Sequence, residues 1–488
     1  MMSLEDRASG VSREPLSKFV CTIGPSSSSL PALESLLEAG MSVALIKSCL
    51  MSTDEILQTV RDIREAVNMY SAQINRAYPL ALALEIKGQT IHTGQLFEGG
   101  TIEIPEGSNL ILTTNEDWKS KGSSEKVFIG CPQKMDYLDQ GTEINIDNGE
   151  ILLNVDYIMG EERRHSNILI VAKLQNKLVD ENIENIVKQA DAIILVRDAL
   201  SVEMSGERIV SVMDNICSMC KKLGKPVLLE GGVLSSMSSG KDPSLLEVQD
   251  VVTCQRIGFD GFVLGDVTAN GSNPAKCLKE IVSICCQAES SSWQSHSFHK
   301  LVTPTAKPID PAQAIALSVV ETASRIAAAA VVVITTSGAS ARLISRYLPR
   351  MPVIAVTSHS RVARQLAIWK TVLPYHYVAP EVKDWQTNID LRLQAGIDLG
   401  KSKSIVQPGD PLVLLSNSRP GTGFTNTMRV FYASQADPWL NITSEFINQP
   451  VYKPEQNSTG DVVQQCPYLL QAACVSSDEK ASEPEIII

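Results

Sequence analysis

The sequence has no excess of basic residues, since 43 Lys and Arg stand against 55 Asp and Glu and the formal net charge is -12 at pH 7. This balance argues against nucleic acid or an anionic membrane as the main partner, although a local basic cleft is compatible with it. Long apolar runs are also missing, because the longest, IAAAAVVVI from Ile326, is too short to span a bilayer. The first twenty residues are polar and mixed in charge, so a cytoplasmic location is expected.

A disulfide framework is missing as well. The 11 cysteines are scattered without the density of a secreted scaffold, so reduced thiols are expected. One CxxC pair, Cys217 and Cys220, lies in a helical pattern without a second pair, which predicts buried helix cysteines rather than a zinc site. The chain does have 488 residues of which 44% are hydrophobic, enough for two or three domains with sizeable cores.

Apolar runs alternate with amphipathic segments at the start of the chain, where FVCTIG, SVALIKS and ALALEI are each candidate strands. This alternation predicts βαβ units and a parallel sheet. From about residue 89 to 159 short β segments separated by Gly, Asn and Asp turns replace it, which predicts an inserted β domain. The alternation then resumes with ILIVAKL, AIILVR, PVLLEG and GFVLGD, whose apolar character is typical of barrel strands buried on both faces.

A second α/β unit follows a polar linker, with candidate strands VVVITT, PVIAVT, VLPYHYV, DPLVLLSN and MRVFYA. The last segment is rich in Pro, Gln, Ser and Glu, a composition that favours disorder. The predicted domains are a discontinuous barrel over 17–88 and 160–295, an inserted β domain over 89–159, a C-terminal α/β domain over 305–433 and a disordered tail over 434–488.

Seven segments, in order from Lys18 to Tyr432, resemble the pyruvate kinase family: CTIGPSSSSLPALESLLEAGMSVA, EIKGQTIHTG, IDNGEILLNV, ILIVAKLQN, LGKPVLL, SGASARLISRYLPRMPVIAVT and RPGTGFTNTMRV. The resemblance implies a TIM (β/α)8 barrel, a β domain inserted after its third strand and a C-terminal α/β domain that binds a sugar phosphate in many members. It also implies phosphoryl transfer from phosphoenolpyruvate to ADP with Mg or Mn and usually potassium, in a homotetramer.

The segment LLNVDYIMGEERRHSNILIVAK joins the inserted domain directly to the family's fifth strand. The rest of the inserted domain and the fourth βα unit are therefore expected to be missing, and seven candidate barrel strands remain. A (β/α)8-type barrel that lacks one βα unit is the predicted fold, either closed imperfectly or the product of an incomplete gene.

The family's second strand ends ARLNFSHG, which aligns without a gap to ALIKSCLM. Its phosphate-binding arginine falls on Leu45, and two potassium ligands, an asparagine and a serine, fall on Lys47 and Cys49. Leu45 has no donor for a phosphate, Lys47 is a fixed cation, and Cys49 is a poor ligand for a hard ion. The resemblance therefore implies that this strand has lost its anion and potassium ligands.

The third strand, LDTKGPEIRTG in the family, reads LEIKGQTIHTG. A potassium-ligating Asp-Thr pair becomes Glu85 and Ile86, the active-site arginine becomes His92, and Lys87 persists as a substrate-binding residue. A lone histidine at a strand end is more often a hydrogen-bonded surface or hinge residue than a catalyst, so His92 is expected to have a structural role.

Two later strands show the same mixture of retention and loss. The KIEN pattern reads KLQN, which keeps the catalytic lysine as Lys173 and puts Gln175 where a glutamate binds the divalent metal. The ARGDLG pattern reads VRDALS, which keeps Arg197 and puts Ala199 in place of the second metal carboxylate. Gly231 replaces the threonine associated with protonation of the enolate. Because Mg is usually held by one or two protein carboxylates, losing both predicts loss of the metal site.

The C-terminal domain retains more of its pattern. TTSGASA resembles the family's effector-phosphate loop, where hydroxyls and backbone N–H groups at a helix start bind a phosphate. The alternative is an ordinary N-cap and turn. The candidate effector residues are Thr335, Thr336, Ser337, Ser340, Trp385, Gly421, Thr422, Gly423 and Lys403, the last in place of an arginine.

Two hypotheses follow. In the first, the chain is a catalytically impaired or inactive pyruvate kinase paralogue that binds a phosphorylated metabolite such as fructose bisphosphate or assembles with active subunits. In the second, it is an active pyruvate kinase in which Lys47 replaces potassium and Glu85 or Asp198 recruits the divalent metal. Leu45, Gln175 and Ala199 favour the first. Glu230, beside Gly231, is either a structural acid or a substitute for the missing threonine.

Overall fold

The structure is a computed structural model, and its described residues are 14–48, 51, 53–86, 110–113, 116–118, 121–123, 126–128, 143–146, 151–154, 157–158, 168–175, 179–291, 309–378, 384–419, 425–434 and 485–487. None of the helices in these ranges has an apolar stretch that could cross a membrane. The described residues form two compact units, one up to Glu85 and from Leu169 to Ser434, the other from Ile86 to Ile168 with residues 485–487.

The first unit contains twelve strands among its described residues. They are β1 (Lys18–Thr22), β2 (Val43–Lys47), β3 (Ala81–Glu85), β9 (Val171–Leu174), β10 (Ala192–Val196), β11 (Val227–Glu230), β12 (Gly261–Val263), β13 (Ala330–Ile334), β14 (Val353–Thr357), β15 (Val372–His376), β16 (Pro411–Ser416) and β17 (Thr427–Tyr432).

Helices connect these strands. They are α1 (Leu30–Ala39), α2 (Thr53–Gln73), α3 (Val179–Gln189), α4 (Arg197–Glu203), α5 (Gly206–Leu223), α6 (Leu245–Ile257), α7 (Gly265–Ala269), α8 (Pro274–Ser291), α9 (Pro311–Arg325), α10 (Ala339–Arg346), α11 (Ser360–Leu366) and α12 (Trp385–Ser402). Several begin at a capping residue, as α6 does at Ser244, which forms a capping box with Glu247.

Seven parallel strands form the barrel sheet, in the order β3-β2-β1-β12-β11-β10-β9. This is the order of a TIM-type barrel from which the fourth strand has been removed, so β3 and β9 are the two ends of the sheet. The prediction of a (β/α)8-type barrel with seven strands is confirmed.

Alternate residues of the barrel strands point to opposite faces. Phe19 and Cys21 belong to the core between the sheet and its helices, with α5 contributing the buried Cys217 and Cys220. Inward-facing Val20, Val43, Leu45, Leu228 and Val263 belong to a second apolar cluster, which also includes residues of α9. Apart from Lys18 at the start of β1, which donates to the carbonyl of Val372, these inward-facing residues are apolar, and Glu85, Lys173 and Glu230 lie towards the carboxyl ends of their strands.

The C-terminal sheet has the order β15-β14-β13-β16-β17, parallel except for β17. The prediction of a C-terminal α/β domain is confirmed. The carboxyl end of β13 is followed by the Thr335–Ser340 loop, and α12 starts at the same edge because it follows β15. Its N-cap Asp384 accepts a hydrogen bond from the backbone N–H of Thr387 at 2.8 Å.

The second unit has two small sheets among its described residues. They are built from β4 (Ile111–Thr113), β5 (Lys126–Phe128), β6 (Glu143–Ile146), β7 (Ile151–Asn154), β8 (Tyr157–Ile158) and β18 (Glu485–Ile487). Strand β18 pairs antiparallel with β4 and β8. The composition of residues 434–488 does not indicate this strand, although its β-branched isoleucines are residues that favour strands.

Candidate active site

Lys173 lies near the end of β9, between two carboxylates from other strands of the barrel sheet. Its Nζ donates to Glu85 Oε1 at 2.6 Å and to Glu230 Oε1 at 3.1 Å, and it lies 3.0 Å from Glu230 Oε2. Glu85 ends β3 and Glu230 ends β11. The sheet therefore curls far enough for one side chain to link its two end strands, β3 and β9, which share no backbone pairing among the described residues.

This three-residue group, Glu85, Lys173 and Glu230, is called the carboxyl-end cluster below. Its side chains are mostly buried, with 20%, 18% and 9% of their surfaces exposed. Burial alone would lower the pKa of Lys173, but the hydrogen bond to Glu85 and the charge of Glu230 outweigh burial and raise that pKa. Lys173 is therefore a fixed cation, committed to two protein carboxylates.

The cluster has more acceptors than donors. Glu85 Oε2 and Glu230 Oε2 are buried and receive no hydrogen bond, although the second is close to the ammonium. Buried polar atoms are normally hydrogen-bonded, so two such oxygens at one place require an explanation. With one lysine and two glutamates, the cluster itself has an excess of negative charge.

Arg197, the other residue predicted to be catalytic, is also paired with a carboxylate of the chain. Its Nη1 and Nη2 each donate to one oxygen of Asp250 at 2.8 Å, and Nη2 also donates to the carbonyl of Gly231 at 3.1 Å. This bidentate geometry gives the strongest form of Arg-carboxylate pair. The guanidinium is therefore held against α6 rather than presented to an anion.

Gly231 stands where the family has its threonine, and the backbone there does not accept a side chain. Its φ is +98°, and a Cβ would lie 2.7 Å from Cγ of Asp198. A left-handed backbone is disfavoured for residues with a Cβ, and β-branched residues are the least tolerant. A threonine at this position would therefore strain the backbone and clash with Asp198.

The residues predicted to be degenerate on β2 and β3 are located as follows. Leu45 is 4% exposed and packs in the inner apolar cluster, so the position of the phosphate-binding arginine is part of the core. Lys47 is half-buried and lies beside Glu85 in the register of β2 and β3. Ile86 is 62% exposed. The side chains of Leu45 and Ile86 have no donor for a phosphate.

The positions of the two metal carboxylates do not fit a divalent metal. Gln175 is exposed after β9, and Ala199 has no oxygen in its side chain. Within the described part of the chain, no three His, Cys, Asp or Glu side chains are grouped to hold a metal ion. Asp198, the neighbouring alternative, packs against Gly231 instead. A magnesium site of the family type is therefore not formed by these residues.

Six predicted site residues lie outside the described residues. They are Cys49, Lys87, His92, Gly421, Thr422 and Gly423. Their predicted roles stay predictions.

The loop after β13 brings several predicted effector residues together. Thr336 and Ser337 are exposed, while Thr335 is buried and its Oγ1 accepts from the backbone N–H of Gly338 at 2.9 Å. Ser340 Oγ accepts from Thr425 Oγ1 at 2.8 Å. The loop therefore leads into α10 with two hydroxyls facing solvent, and one further hydroxyl is tied to the segment before β17.

Trp385 and Lys403 lie at opposite ends of the 18-residue helix α12. At about 1.5 Å per residue these ends are about 27 Å apart. Trp385 lies at the edge that carries the loop, because α12 begins there. Lys403 lies at the other edge and forms an ion pair with Glu14. The prediction that Lys403 belongs to the loop site is therefore corrected: it is a structural cation at the far end of the helix.

Comparisons with known proteins agree with this architecture. A family model described as pyruvate kinase, barrel domain, matches residues 15–165 and 154–278, and one described as pyruvate kinase, alpha/beta domain, matches residues 313–431. The chain belongs to the pyruvate kinase family. The barrel-domain match comes in two parts, which overlap at residues 154–165.

Named pyruvate kinases are similar along most of the chain. The human protein named pyruvate kinase PKLR is 27% identical over 486 residues, with 85% of this chain and 84% of that protein covered. The pyruvate kinase of Trypanoplasma borreli is 27% identical over 480 residues, with 85% and 95% covered, and that of Leishmania mexicana is 27% identical over 481 residues, with 85% and 95% covered. These identities agree with the family shown by the family models, and they do not show whether this chain is active.

Sequence reasoning missed three partners in these sites. Asp250, which holds Arg197, lies on a helix and has no motif of its own. Thr425 reaches Ser340 across 85 positions of the chain. Arg342 donates to the carbonyl of Ser337 at 2.8 Å and stacks over Trp369. Glu230, by contrast, could be singled out from the sequence. It ends a buried strand and is in phase with the inward-facing Leu228.

Proposed function

We propose that this member of the pyruvate kinase family has lost efficient phosphoryl transfer and retains phosphate binding at its C-terminal domain. The observation that carries the proposal is the pairing of Lys173 with Glu85 and Glu230. The lysine that stabilises the transferred phosphoryl in the family must be free to face an anion, and here it faces two carboxylates.

The other changes point the same way. Leu45 replaces an arginine, Gln175 and Ala199 replace both metal carboxylates, and Arg197 is held by Asp250. Losing one preorganised electrostatic group commonly lowers kcat by about 100 to 1000-fold. The losses are not additive, but none of them is small.

The test is pyruvate formation from phosphoenolpyruvate and ADP with Mg, with and without potassium and fructose bisphosphate. We expect a rate at least about 1000-fold below that of an ordinary pyruvate kinase measured in parallel. A rate within about tenfold of the ordinary enzyme would overturn the proposal.

An active enzyme with a remodelled site is the second candidate. It is favoured by Lys47, a half-buried cation beside Glu85 that is suited to replace a potassium ion. In that case pyruvate formation would be independent of potassium and would be lost in Lys47→Met. One observation opposes an active enzyme of this kind: Glu85 is already paired with Lys173 and is not free to recruit a metal.

Phosphate binding by the loop after β13 is supported by its exposed hydroxyls, Thr336 and Ser337, at the start of α10. We expect millimolar fructose bisphosphate to raise the unfolding temperature of the wild type and not that of a Thr336→Val/Ser337→Ala variant. A matched control is Ser318→Ala, an exposed hydroxyl that donates within α9. No shift in the wild type would remove this part of the proposal.

Assembly with active pyruvate kinase subunits is the remaining part of the proposal. It is supported by the C-terminal sheet and helices, which keep the family pattern over residues 313–431. Co-expression with an active paralogue, followed by native mass spectrometry, should show mixed oligomers. Oligomers of one chain type only would exclude this role.

A further inference from the structure

The carboxyl-end cluster has the form of an occupied cation site. Three carboxylate oxygens surround one point, the position of Lys173 Nζ, at 2.6, 3.0 and 3.1 Å. Two of them belong to Glu230, whose carboxylate approaches the ammonium with both oxygens. Two carboxylates that contribute three oxygens around one point form an arrangement that also suits a hard cation.

Neither Glu85 nor Glu230 stands at a divalent-metal position in the family pattern. Glu85 stands at a potassium-ligand position, and Glu230 stands one residue before the missing threonine, while the two family metal positions are Gln175 and Ala199. The cluster is therefore a different donor set from the one that holds the divalent metal in the family pattern.

We propose that the Lys173 ammonium is a built-in cation: Glu85 and Glu230 form a cation site that the chain fills with its own side chain, and that takes up a free divalent cation only when the ammonium is removed. The inference deepens the proposed function, on which it rests for the identity of the site. It states which cation the site holds and predicts that added metal will not restore activity.

The two unpartnered oxygens support this. Glu85 Oε2 and Glu230 Oε2 are buried without a hydrogen bond, because the tethered ammonium donates to only one oxygen of each carboxylate. A free ion has no tether and attracts every oxygen around it. Buried carboxylates without a cation repel each other strongly, so removal of the ammonium leaves a demand for positive charge.

The distances also predict which ion fits. Calcium takes oxygen ligands at about 2.3–2.6 Å in flexible geometry, whereas magnesium requires about 2.0–2.1 Å and an octahedron. Starting from 2.6, 3.0 and 3.1 Å, the carboxylates must move by a few tenths of an ångström for calcium and by more for magnesium. Calcium is therefore the expected occupant of the emptied site.

The experiment uses the full chain with Lys173→Met, which keeps the length of the side chain and removes its charge. In EGTA this variant should unfold at a lower temperature than the wild type, and millimolar calcium should restore part of the loss. Isothermal titration calorimetry should show calcium binding at least about tenfold tighter than any binding by the wild type. Magnesium should act more weakly.

Four further variants make the result specific. Lys188→Met removes a lysine whose ion pair with Glu184 is exposed, so it should not respond to calcium. Lys173→Arg keeps a cation and should behave like the wild type. Adding Glu230→Gln to Lys173→Met should abolish the calcium response. Adding Lys47→Met tests whether the neighbouring lysine replaces the missing ammonium, in which case calcium binding appears only in that double variant.

Two results would overturn the proposal: calcium binding by the wild type as tight as by Lys173→Met, or no calcium response in Lys173→Met with Lys47 also replaced. If Lys173→Met does not fold in EGTA, refolding in calcium is the readout, and failure to refold counts against the proposal. These titrations contain no substrate. Pyruvate formation by the wild type would contradict the proposed function while leaving the calcium result to stand or fall separately.

Discussion

The barrel sheet and the C-terminal sheet end in the same way, with loops at the carboxyl edge of parallel strands, yet their polar residues are used differently. At the barrel edge Lys173 and Arg197 are paired with carboxylates of the chain itself. At the C-terminal edge Thr336 and Ser337 are exposed and their hydroxyls pair with no charged group among the described residues, although Ser337 Oγ accepts a hydrogen bond from the backbone N–H of Ala339 at 3.4 Å. A carboxyl edge is where α/β proteins place their ligands, but it binds one only if its polar groups are not already satisfied internally.

The largest expected effect comes from restoring the family's threonine at the barrel edge. Gly231→Thr places a β-branched side chain at φ +98° and a Cβ 2.7 Å from Asp198. Left-handed backbone costs about 1–2 kcal/mol for such a residue, and overpacking adds about 1–3 kcal/mol. We expect a loss of about 3 kcal/mol in the free energy of unfolding, measured by urea denaturation.

The matched control is Gly206→Thr, at the first position of α5, where no neighbouring atom lies within 4 Å of the place that a Cβ would take. It should cost well below about 1 kcal/mol. If Gly231→Thr is as stable as this control, the barrel edge can still accept the family's threonine. The barrel edge and the C-terminal edge would then differ less in their ability to hold the family's residues.

The next largest effect on stability is expected from breaking the ion pair between Arg197 and Asp250. Asp250→Ala removes both acceptors of the guanidinium, whose side chain is 20% exposed while that of Asp250 is 34% exposed. Breaking a buried pair costs about 3–5 kcal/mol and an exposed one about 0–1 kcal/mol. We expect about 1–2 kcal/mol for this intermediate case, measured by urea denaturation.

A double-mutant cycle with Arg197→Ala isolates the pair. The cost of the two changes together should be smaller than the sum of the single costs, because each single change leaves the partner charge unpaired. Additive costs would mean that Arg197 is not committed to Asp250 and remains available to an anion.

Much of this architecture could be predicted from the sequence, because it rests on periodic patterns. The seven barrel strands and the five C-terminal strands each appear as short apolar runs, and the missing βα unit appears as a direct join between Asn154 and Ile168. The outcome for Leu45 was also predictable, since it lies in phase with Val43 on the inner face of β2.

The pairing inside the site could not be predicted in the same way. Asp250 and Glu85 reach their partners across 53 and 88 positions. Such contacts depend on how the sheet curls and where a helix packs, which no local pattern specifies. Lys403 shows the opposite failure: a plausible charge near a motif in sequence lies at the far end of α12 in space.

A smaller effect is expected at the C-terminal edge. Thr425→Val removes the hydrogen bond to Ser340 while keeping the shape of a buried side chain. The loss should be about 1 kcal/mol, or about 2–4 °C in unfolding temperature. The response to fructose bisphosphate should persist, since Thr336 and Ser337 are untouched. Thr253→Val is the control, because that hydroxyl bonds only within its own helix, to Gln249.

The smallest expected effect is the pH dependence of the carboxyl-end cluster. The pKa of Lys173 is raised in the folded protein, so folding favours its protonated form. Its contribution to stability is complete below the unfolded-state pKa of about 10.4 and is lost as the pH rises through the higher folded-state pKa. The difference in unfolding temperature between the wild type and Lys173→Met, both in EGTA, should therefore be constant from about pH 7 to 9 and shrink above about pH 10.5. A difference that instead disappears near neutral pH would mean that Lys173 is easily deprotonated, and the barrel edge would then be as open to ligands as the C-terminal one.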